Sequence, residues 1–145
     1  MPARAGVVLV VESDASVAAR HTTSLATAGF EAVVVRRGDE ALDLLRRRGD
    51  LAAVVTGMVL RGLDGLSLAT AIRTSGGGPC DLPVIVCARN GGAVTRRRAL
   101  QIGVDEFVPA DDLDDVAPRV VGLVALSADE RRSRRVQRAL ATGDV

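Results

Sequence analysis

The chain has 145 residues and a formal net charge of +1, long enough for one domain with its own core and too weakly charged overall to attract nucleic acid or an anionic membrane. All 19 basic residues are arginine, which excludes a Walker-type phosphate loop, a Schiff-base enzyme and every other mechanism that needs a lysine amine. Trp and Tyr are absent and a single His accompanies two cysteines, so neither a base-stacking platform nor a four-ligand structural zinc site is available.

The first apolar run is GVVLVV at 6–11, followed by a helix-length segment from Asp14 to Ala28 that Gly29 closes. EAVVV at 31–35 reads as the second strand, and Gly38 to Arg48, with the stripe Ala41, Leu42 and Leu45, as the second helix. AAVVT at 52–56 precedes a third helix from Asp64 to Ser75, striped by Leu68, Ala69 and Ile72 and ended by the glycines at 76–78, a flexible loop. PVIV at 83–86, a helix from Gly91 to Ile102 closed by Gly103, the weaker EFV at 106–108 and a helix starting near Asp112 complete the alternation. The fifth helix carries Leu113, Val116, Val120 and Val124 on one face.

Near-continuous apolar strands alternating with helices predict a doubly wound α/β fold, a five-stranded parallel sheet with helices on both faces. Chemistry in such a sheet sits beyond the carboxyl ends of the strands, here Glu12 to Asp14, Thr56 to Leu60, Cys87 to Asn90 and Pro109 to Asp112. No GxGxxG follows the first strand, so a dinucleotide site has poor support. The run Val7 to Val11 is too short for a signal peptide, and nothing approaches the roughly 20 apolar residues of a membrane span. The expectation is a soluble cytoplasmic chain without membrane contact, in which Cys80 and Cys87 stay reduced.

The segments VVLVVES, GFEAVVV, GDEALDLL, AAVVTGMVLRGLDGLSLATAIR, LPVIVCAR and ALQIGVDEFVPA, in this order and spacing, resemble the receiver domain of two-component response regulators over about residues 6–126. The resemblance implies a flavodoxin-like, CheY-like (βα)5 domain that accepts a phosphoryl group on an aspartate after the third strand, beside a divalent metal held by acids after the first. Residue by residue, the acidic pair becomes Glu12 and Ser13, and the phosphoacceptor falls on Gly57 in VVTG. The hydroxyl position falls on Ala88, or on Cys87 if the register slips by one, and the lysine position falls on Ala110, followed by Asp111. Only the switch aromatic, Phe107, is kept. The chain therefore resembles a degenerate, pseudo-receiver member with no catalytic residue, no metal and no cofactor.

The residues left over are read by simpler roles. Asp14 and Asp64 are helix N-caps, and the acids Asp111, Asp112, Asp114 and Asp115 cap and charge the first turn of the fifth helix while meeting any entering phosphate with like charge. His21, one turn from Val17 and from Leu25, is a partly buried packing residue. Glu12, at the end of a buried strand and without a metal, needs a new partner, and Arg61 or Arg89 is expected to form a salt bridge with it in the pocket.

Residues 127–145 are expected to form an arginine-rich helical tail after a receiver-like domain at 1–126, a solvated extension in the simplest case and otherwise a helix for docking a partner. Too few residues follow for a helix-turn-helix reader, no output domain is expected, and nucleic acid is not an expected partner. By resemblance, the function is a phosphorylation-independent protein-interaction module that binds a partner through the fourth helix, fifth strand and fifth helix, with a homodimer among the arrangements allowed. The alternative is a small-ligand sensor using the pocket around Gly57, Ala88 and Ala110, and the absence of an aspartate at 57 opposes a conventional phosphoacceptor.

Overall fold

The computed structural model describes residues 5–89 and 93–142. Five strands, β1 (Gly6–Val11), β2 (Phe30–Val35), β3 (Leu51–Gly57), β4 (Val84–Ala88) and β5 (Glu106–Pro109), form one parallel sheet in the order β2-β1-β3-β4-β5. Valine-rich runs suit the three inner strands because both of their faces are covered. Leu9, Val11, Val54, Val84 and Val86 pack on one face against α2 (Gly38–Arg47), α3 (Gly65–Thr74) and α4 (Ala93–Ile102). Val8, Val10, Val55 and Ile85 pack on the other against α1 (Ala15–Thr27) and α5 (Val116–Val124).

The caps read from the sequence at the first and third helices are present. Asp14 accepts from the amides of Ser16 (2.9 Å) and Val17 (3.3 Å), and Asp64 from that of Ser67 (2.8 Å). Gly65 then opens α3 so close to the Gly57 carbonyl oxygen that a Cβ would overlap it, which seats the helix directly on the end of β3. The expected start of α4 at Gly91 lies outside the described residues.

Two expectations are corrected. The acids ahead of α5 do not cap it: residues Ala110–Asp115 wind as a 3-10 turn with Asp112 outside helical geometry, and Asp115 makes no side-chain cap bond. Asp114 points instead to Arg20 of α1 at 3.4 Å. The tail is helical, as α6 (Ala128–Thr142), but it is not a solvated extension, since it packs along α4 and sends arginines to Asp81, Asp105 and Glu106. Its start is a reciprocal capping box in which the Glu130 amide donates to the Ser127 hydroxyl (3.1 Å) and the Ser127 amide to the Glu130 carboxylate (3.0 Å).

Candidate functional site

The parallel strands deliver their carboxyl ends to one edge, and the loops that follow enclose a cleft of about 890 Å³. Glu12 and Ser13 enter it after β1, Gly57 and Met58 from the end of β3, Cys87, Ala88 and Arg89 from β4, and Ala110 and Asp111 after β5. The positions assigned to the degenerate pocket, Glu12, Ser13, Gly57, Ala88 and Ala110, thus line one cleft. Cys87 lines it as well, directly across the ladder from Gly57. Phe107 does not line it. Its ring, 8% exposed, packs with Ala88 and Ala99 on the α4 side of the sheet.

Glu12 is half-buried, and its Oε2 accepts from the Asp14 amide at 3.0 Å and from the Ser13 hydroxyl at 3.5 Å. Its Oε1 lies 2.8 Å from the place where a Cβ on residue 57 would stand. The carboxylate therefore leans over the glycine and fills space that any side chain there would claim. Thr56, fully buried just before, donates its hydroxyl to the Gly57 carbonyl at 2.9 Å and offers nothing to the cleft.

The expected salt bridge from Glu12 to Arg61 or Arg89 is not formed. Arg89 reaches Asp14 Oδ2 at 3.3 Å, because from the end of β4 the exposed α1 cap is within its reach and leaves both groups in solvent. Arg61 is held away: its backbone bridges to Arg37 and its carbonyl accepts from the Gly38 amide at 3.0 Å, so its exposed side chain belongs to the α2 end of the loop. Asp14 consequently carries two tasks, and the Ser16 hydroxyl at 2.7 Å, the amides of Val17 and Ser16 and the charge of Arg89 hold its carboxyl below the usual range.

The remaining chemistry is subdued. Burial, with the Glu12 charge adding to it, pushes the Cys87 thiol up to about 12, so no thiolate nucleophile is available at neutral pH. His21 is not merely half-buried as expected; it is 2% exposed on α1, its Nδ1 is without a partner, and burial followed by the nearby Arg20 lowers its pKa and keeps it neutral. A divalent cation would need several oxygen ligands; Glu12 accepts an amide, Asp14 serves its cap and Arg89, and no group of three metal-ligating side chains occurs among the described residues. Sequence reading did not find Arg20, Ser16 and Thr95, which line the same cleft from α1 and α4. Helix-surface polar residues carry no period or motif that distinguishes them from a solvated face, so no sequence signal marked them.

The family model for the response regulator receiver domain matches residues 8–115. The response regulator MprA of Mycobacterium sp. (strain KMS) is 34% identical over 109 residues, which is 75% of this chain and 44% of that protein. The chain thus spans less than half the length of that curated relative. Among solved structures, the receiver domain of Francisella response regulator 1452 superposes with a TM-score of 0.75 at 25% identity, covering 82% of this chain and 96% of that one. A signal receiver domain of a signal transduction histidine kinase from Syntrophus aciditrophicus gives a TM-score of 0.74 at 24% identity, covering 83% and 90%.

Proposed function

This chain belongs to the response regulator receiver domains of two-component signalling, and on that premise we propose that it acts without phosphorylation, as a cytoplasmic protein-interaction module with no catalytic turnover. The observation that carries the reading is Gly57, the last residue of β3, which has no side chain to accept a phosphoryl group and whose side-chain space is taken by the Glu12 carboxylate. Phosphoryl transfer needs charge neutralisation at the transferring group. Around Gly57 the neighbours Cys87, Ala88 and Ala110 supply neither a hydroxyl nor an ammonium, and Asp111 adds negative charge. No described helix is long and apolar enough to cross a membrane. The partner surface of this reading is that of α4, β5 and α5, and α6, packed along α4, would be part of what a partner meets.

A second reading, a small-ligand sensor, is favoured by the size of the cleft, about 890 Å³, which is ample for a metabolite, and by Arg20 and Arg89 in its lining. Incubation with acetyl phosphate and Mg²⁺ followed by intact mass separates both readings from a conventional phosphoacceptor. The mass is expected to stay unchanged, and a gain of about 80 Da, one phosphoryl group, on an aspartate at the strand ends would overturn them.

A further inference from the structure

Asp105 and Glu106, at the start of β5, each divide their two carboxylate oxygens between the body of the domain and α6. Asp105, with no exposed surface, accepts on Oδ2 from Arg73 of α3 (2.7 Å) and the Val84 amide (2.8 Å), and on Oδ1 from Arg135 of α6 (3.2 Å). Glu106 accepts on Oε2 from Arg119 of α5 (3.0 Å), and its Oε1 takes Arg134 (2.6 Å) and Arg138 (3.0 Å) of α6. The partition is asymmetric in its consequence. If α6 lifts away, each carboxylate keeps an arginine from the body, so neither becomes the lone buried charge whose desolvation would fasten the helix in place.

The helix is built to match. Arg134, Arg135 and Arg138 stand at i, i+1 and i+4, on one face. Its large apolar side chains face out instead: Val136 is 55% and Leu140 64% exposed. Charge therefore holds α6, whereas α5 is held by Val116, Val120 and Leu123, all buried. The short link from Val124 to Ala128 keeps the helix at high local concentration when it is off.

We propose that Asp105 and Glu106 form an arginine-reading dock for a helix, and that α6 is its reversible intramolecular ligand, leaving and rejoining a domain that stays folded. Undocking uncovers α4 and the chain entering β5, the edge strand of the sheet, and frees the Asp105 carbonyl that Arg134 and Arg138 hold.

Hydrogen exchange of the full chain, read by mass, tests the reversibility. Amides of α6 are expected to exchange about tenfold faster or more at roughly 0.5 M salt than at roughly 0.05 M, while those of β1, β3 and β4 keep their protection. The dock is tested with the full-length Arg134→Ala/Arg135→Ala/Arg138→Ala variant, which is expected to melt cooperatively and to bind an added peptide of residues 127–142. Adding Glu106→Gln should weaken that binding about tenfold or more. Exchange of α6 only together with the core at every salt would overturn the proposal. So would a triple variant that fails to fold, or a folded one that ignores the peptide.

Discussion

The Glu12 carboxylate leans over Gly57, its Oε1 2.8 Å from where a Cβ would be, so a side chain at 57 requires the flexible end of Glu12 to move aside. A side chain at 57 and the present posture of Glu12 cannot coexist. Restoring an aspartate by Gly57→Asp therefore places two carboxylates together without a cation between them. The variant is expected to lose about 1–2 kcal/mol near pH 7, with most of the loss recovered by adding Glu12→Gln and with the penalty fading as pH falls through the carboxylate range. Urea unfolding of the two variants at neutral and acidic pH checks the sign. A Gly57→Asp chain as stable as the original at pH 7 would mean that Glu12 swings clear at no cost.

Burial of His21 sets a second pH dependence. Its folded pKa is lowered from 6.5 by desolvation first and by Arg20 second, so the imidazole is neutral in the fold and protonates more readily in the unfolded chain. Its contribution to stability is thus present above about pH 6.5 and is lost as pH falls below it. His21→Leu, which also removes the unpaired Nδ1, is expected to flatten the thermal unfolding midpoint between about pH 5 and 7 and to leave it equal or higher at the acidic end.

Asp105 is the acid whose removal should cost most. Asp105→Ala leaves Arg73, 11% exposed and held at about 10 by burial against the pull of Asp105, close to Arg135 without the buried carboxylate that both arginines share. Loss of a buried partner of this kind costs about 3–5 kcal/mol. Glu106→Ala should cost less, because its three arginines are more exposed, with Arg119 at 39% and Arg134 at 34%. The order of the two urea midpoints is the measurement, and a milder effect at Asp105 would contradict the burial argument.

How far the sequence reaches can be seen in particular elements. Runs such as GVVLVV and glycine stops such as Gly29 and Gly103 announce strands and helix ends locally, and the parallel, doubly wound class followed from the alternation of strands and helices, whereas the order of the strands did not. Residues 110–115 escaped because four aspartates look like a helix start, whereas the chain tightens there into a 3-10 turn. Docking of α6 escaped because its acids stand 28–32 residues upstream or farther, as in Arg134 to Glu106 and Arg132 to Asp81, and no local period encodes them. A usable signal was present in Ser127 and Glu130, the capping box that marks where the helix begins. In the cleft, the identities at Glu12, Gly57, Ala88 and Ala110 were legible by position. The partner of Arg89 was not, because a long side chain leaving a strand end chooses among acids that only the folded loops bring near, and Asp14 is the one within reach.

The most direct test of the proposal that this receiver works without phosphorylation is a two-dimensional amide NMR titration with beryllofluoride and Mg²⁺, the pair that mimics a phosphoryl group on an aspartate. With Gly57 at the end of β3 and no group of three metal-ligating side chains among the described residues, the cross-peaks of Glu12, Gly57, Ala88 and Ala110 are expected to stay where they are. Saturable shifts gathered on those residues would contradict the account, for they would require a carboxylate acceptor and a metal site that the present arrangement of Glu12 over Gly57 does not provide.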